Sequence, residues 1–94
     1  MKSLDNCLRY MGTVKEYVDG KILLNMHDMQ LNLRAVIFNA EKLVPTDNIK
    51  TVIEKCQTII NWMAGREYLS IITINNLIHD TFTLLSQELE IHAR

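Results

Sequence analysis

The chain is poor in the residues that usually announce chemistry. It has 94 residues, two cysteines, three glycines and one proline. Cys7 and Cys56 are too few for a disulfide framework, and each falls on the apolar face of its own expected helix, the pattern of reduced core thiols. Gly12, Gly20 and Gly65 stand alone, so there is no glycine-rich loop to cradle a phosphate. A formal net charge of −1 leaves no basic surplus for phosphates and no acidic surplus for a DNA mimic. No uninterrupted apolar run approaches the length of a membrane span. The opening Met1-Lys2-Ser3-Leu4-Asp5-Asn6 breaks off where a signal peptide needs its apolar segment. These absences weigh against nucleic acid and membrane as partners, and the expected location is the cytoplasm.

What is present is apolar pattern. Hydrophobic residues make up 48% of the chain, with charges of both signs interspersed, the profile of one folded domain over residues 1–94. The stretch Gly20 to Val44 stands out. Ile22, Met26, Met29, Leu33, Val36, Ala40 and Leu43 recur at spacings of four and three, a helical stripe. Leu24, Leu31 and Phe38 fall nearly opposite, with Ala35 beside them, so both faces need an apolar neighbour.

Periodicity predicts helices over about 3–18, 21–44, 48–64 and 68–92. In the first, Leu4, Cys7, Leu8, Met11, Val14 and Val18 share a face, and Gly12 costs about 1 kcal/mol relative to Ala, inviting a kink. Asp19-Gly20 would suit a hairpin turn, but strand alternation fails at Ile22-Leu23-Leu24, so Gly20 reads better as a helix C-cap. Pro45 ends the second helix, and Thr46 or Asp47 caps the third. Ile49, Val52, Ile53, Cys56, Ile59, Ile60 and Met63 form the third stripe, closed by Gly65. In the fourth, Ile71, Ile74, Ile78, Phe82, Leu85 and Leu89 share a face, with a second row at Leu77, Leu84 and Ile91. The short connections imply an all-α, up-down-up-down four-helix bundle.

The sequence holds little that could form a reaction centre. His27-Asp28 and His79-Asp80 lack the Glu-x-x-His repeats of a di-metal bundle. Neither cysteine has a histidine within a helical turn to act as its base. The chain is therefore expected not to be an enzyme and to need no metal or cofactor.

The second apolar rows remain. With the second and fourth helices diagonal, Leu24, Leu31, Ala35 and Phe38 on one and Leu77, Leu84 and Ile91 on the other would be left outside, the mark of a protein or homodimer interface. The expected function is a small interaction module of regulator, inhibitor, immunity-factor or secretion-chaperone type. The alternative is a helix-turn-helix-like DNA-binding regulator built on the third and fourth helices around Gly65. Against it, Asp80, Glu88 and Glu90 give the outer side of the fourth helix an acidic character, where a base-reading helix carries Arg, Lys or amides.

Overall fold

A computed structural model describes residues 2–93. Four helices account for most of them: α1 (Lys2–Val18), α2 (Met26–Ala40), α3 (Asp47–Met63) and α4 (Ile71–Ala93). Each packs on the next, and α4 closes back on α1, whereas no Cα of α1 lies within 8 Å of α3, nor any of α2 within 8 Å of α4. The chain is a four-helix bundle in which each helix has two neighbours and one diagonal. Connections of six or seven residues, which must also turn at both ends and carry helix caps, leave no slack to run back along a helix, so successive helices run antiparallel. The α1–α2 and α3–α4 connections consequently share one end of the bundle, and the α2–α3 connection lies at the other.

The helix ends follow from local chemistry. Gly20 closes α1 with φ 79°. Its amide donates to the Tyr17 carbonyl at 3.0 Å and that of Lys21 to Glu16 at 2.9 Å, a Schellman cap that needs a left-handed residue. Gly65 repeats the motif after α3 with φ 77°, as the Arg66 amide donates to the Asn61 carbonyl. At the start of α3 the Thr46 hydroxyl accepts from the Ile49 amide at 3.2 Å, which decides between the two caps expected there. Ser70 does the same for α4 through the Thr73 amide.

Two expectations for the helices are corrected. The second helix starts at Met26, not near Lys21, because Asn25 takes the N-cap and accepts the Asp28 amide at 2.7 Å. It also ends at Ala40, so Leu43 and Val44 belong to the next connection. The first helix does not break at Gly12, where the ring of Phe82 on α4 packs against the bare glycine.

The core takes Leu4, Cys7, Met11 and Val14 from α1, and Met29, Leu33, Val36 and Ala40 from α2. From α3 come Ile49, Val52, Cys56, Ile59 and Ile60, and from α4 Ile74, Ile78 and Leu85. The buried face of α4 is rotated from its most apolar stripe. Thr81 and Glu88 are buried, while Ile71 and Leu89 are exposed. Thr81 is accommodated by donating its hydroxyl to the Leu77 carbonyl at 2.7 Å. Glu88, expected on the outer side, instead accepts the Thr46 hydroxyl at 2.8 Å and has His92 3.4 Å away.

Candidate interaction surface

On α2, Leu31 and Phe38 are exposed as the pattern requires, with Ala35 half-buried between them. Two turns separate the large side chains, about 10 Å along the axis. They share this face with exposed His27 and Arg34, and the Lys42 ammonium sits 4.2 Å from the Phe38 ring centre. Leu24 does not extend the row: it lies half-buried in the connection before α2, off any helical register.

The second row of α4 is also corrected. Leu77 and Leu84 are half-buried and pack against the core, not outward. Relative to the centre of the buried face they are turned by less than a right angle, at about 100° per residue, so they flank the core on the α3 side. Leu84 lines a shallow hollow there with Thr51 and Lys55. Of this row Ile91 alone is exposed. The rows on α2 and α4 therefore do not merge into one patch.

A larger apolar surface lies where the sequence pattern did not point, at the end shared by the α1–α2 and α3–α4 connections. A half-open cleft of about 330 Å³ is formed there by Tyr17, Met26, Met29, Trp62, Ile71 and neighbouring residues of all four helices and the first connection. Its volume is at the lower end of the range for ligand pockets. Leu23 on its wall is 96% exposed, and Tyr68, in the connection into α4, is fully exposed. Ile71 and Ile72, in the first turn of α4, are exposed as well. The signal for this surface was the spacing Asn25-x-x-Asp28, an N-cap with an acidic residue three positions on. It shortens the second helix and leaves Ile22-Leu23-Leu24 as an apolar run within a connection.

That connection is anchored by Asp19. His79 Nε2 lies 2.8 Å from its Oδ1, and Lys15 Nζ lies 2.9 Å from its Oδ2. Lys15, and then His79, hold the Asp19 carboxyl below its ordinary range. His79 Nδ1 donates to the Asn75 carbonyl at 2.8 Å, so the ring is fixed at both nitrogens. The partner of His79 is thus Asp19 and not its sequence neighbour Asp80.

The cysteines are unreactive in this setting. Burial pushes the Cys7 thiol up to about 11 and the Cys56 thiol up to about 12, so both are protonated near neutrality. Among the described residues no three His, Cys, Asp or Glu side chains converge as a metal site would require. Among them, too, no helix is long and apolar enough to cross a membrane.

Compared with family models, with curated proteins and with solved structures, the chain shows no significant match.

Proposed function

We propose that the chain is a small helical protein–protein interaction module of the regulator, inhibitor, immunity-factor or secretion-chaperone kind, acting in the cytoplasm by docking apolar side chains onto a protein, its own copy included. The observation that supports this most directly is the amount of large apolar surface left open on so small a bundle: Leu23, Tyr68, Ile71 and Ile72 at one end, Leu31 and Phe38 along α2. Large exposed apolar side chains grouped together, and not scattered singly, mark contact surfaces. Positions that face solvent on α4, including Asn76, Asp80, Gln87 and Glu90, supply no cationic stripe for a duplex.

The test is light scattering on the purified chain, joined to chemical cross-linking in the native host followed by identification of what is attached. Self-association, or one recurrent partner whose attachment is lost when Leu31 and Phe38 or Leu23 and Ile72 become polar, is the expected result. A chain that stays monomeric and cross-links to no recurrent partner would refute the proposal.

A further inference from the structure

We infer that two copies of this chain pair end to end through the cleft between the α1–α2 and α3–α4 connections, each copy placing its exposed loop side chains in the other's cleft. The inference rests on the interaction reading above and assigns it a site and an occupant. A two-fold dimer needs a surface that is its own complement, a projection beside a hollow. This end of the bundle has both. The hollow is the cleft of about 330 Å³ over Met29 and Trp62. The projections are Leu23, in the first connection, and Tyr68, in the third, which antiparallel topology brings to the same end.

Area and charge agree with a second copy as the occupant. Leu23 is 96% exposed, Ile72 73%, Ile71 60% and Met26 51%, and Tyr68 is fully open. Five large apolar side chains left this open at one end of the bundle supply much of the apolar part of the roughly 800 Å² that each partner contributes to a standard stable interface. Charged groups around this end are of both signs and nearly balance: Lys15, Lys21 and Arg66 stand against Glu16, Asp19, Asp28 and Glu67. A mixed rim close to neutral lets like meet like with little repulsion, whereas an oppositely charged partner would be matched by a rim of one sign. The start of the connection bearing Leu23 is tied to α4 by the Asp19–His79 contact of 2.8 Å, which limits how far the loop can stray before pairing.

Sedimentation equilibrium on the full chain from micromolar to millimolar concentration, on three forms, tests the assignment. The first is the natural chain. The second carries Tyr68→Asp and Ile72→Asp, positions that contribute nothing to the core; an acidic residue in the first turn of α4 also suits the helix dipole, so folding is retained. The third carries Leu31→Ser and Phe38→Ser. Circular dichroism confirms equal helicity in all three. The expected result is a mass twice that of one chain for the first and third forms. The second should have its dimer weakened at least about tenfold, the usual cost of losing central anchor side chains. A dimer lost only in the third form overturns the end-to-end assignment and leaves the interaction reading in place. A natural chain that remains a monomer at millimolar concentration also overturns it, and the interaction reading then stands or falls on the host cross-linking. A dimer untouched in both variants overturns it as well.

Discussion

His79 on α4 reaches back 60 positions to Asp19, its Nε2 2.8 Å from the carboxylate, and joins the start of the α1–α2 connection to the neighbouring helix α4. Lys15 holds the second carboxylate oxygen at 2.9 Å. One exposed aspartate thereby ties the start of the connection that carries Leu23 to α1 and α4.

This contact should be visible in the pH dependence of stability. The folded-state carboxyl of Asp19 is held below its unfolded value, first by Lys15 and then by His79. Its contribution is therefore complete above about pH 4 and disappears as pH falls through the lowered folded value. Urea melts should show Asp19→Asn less stable than the natural chain at pH 6, with the two converging in acid. A gap that stays constant into strong acid would mean that the carboxylate charge is not its source.

The buried end of α4 makes a second expectation. The Thr46 hydroxyl caps α3 and donates to Glu88, which is 3% exposed. Thr46→Val should cost about 1–3 kcal/mol, since it removes a helix cap and strips a buried carboxylate of a donor. Thr46→Ser should recover most of that loss in the same denaturant titration. A loss for Ser as large as that for Val would show that the hydroxyl bonds are not the main source of the effect.

Neighbouring leucines on α2 should differ sharply. Leu33 is fully buried and Leu31 half-exposed. Leu33→Ala, like Ile78→Ala on α4, should destabilise by about 2–5 kcal/mol through cavity formation. Leu31→Ala should change stability by less than about 1 kcal/mol. Thermal melts on dilute protein decide the ordering, and similar losses at 31 and 33 would contradict the packing described.

Gly12→Ala should be stabilising. A methyl group there would meet the Phe82 ring edge at 3.6 Å, an ordinary contact. Mid-helix alanine is favoured over glycine by about 0.5–1 kcal/mol. A drop in melting temperature would show that Phe82 cannot yield even slightly.

The thiols should be silent. With Cys7 raised to about 11 and Cys56 to about 12, only about one thiol in a thousand or fewer is ionised at pH 8. A soluble disulfide reagent should label neither until denaturant unfolds the chain. Nor should oxidation join them, because α1 and α3 have no Cα pair within 8 Å and a disulfide needs closer backbones. Labelling at the rate of a free peptide thiol would refute their burial.

The middle of each helix was legible from spacing alone. Met29, Leu33, Val36 and Ala40 are buried as their recurrence demands, and so are Ile74, Ile78 and Leu85. The ends were harder, because apolar periodicity carries on through a connection when the connection is itself apolar. Ile22-Leu23-Leu24 sustained the helical pattern past the point where Asn25, by accepting the Asp28 amide, starts a new helix. The inward turn of Thr81 and Glu88 was hidden for another reason. Polar side chains enter a core when a specific acceptor or donor waits there, and the Leu77 carbonyl and the Thr46 hydroxyl become neighbours only after folding. The surface rows suffered from both effects. Leu31 and Phe38 stand outside as their spacing implies, whereas Leu77 and Leu84 followed α4 as it rotated to bury Thr81.

The ring of helices also has a kinetic reading. Three of its four seams join helices that are neighbours in sequence and zip together locally, the kind of contact that makes for rapid folding. The fourth seam, α1 against α4, is spanned by no connection and rests on side chains: Phe82 over Gly12, the Lys15 ammonium 5.6 Å from the Phe82 ring centre, and the Asp19–His79 pair. It closes the longest loop of the molecule and so should form last. By the same reasoning it should be the first seam to part, leaving a ribbon of three hairpins still joined end to end.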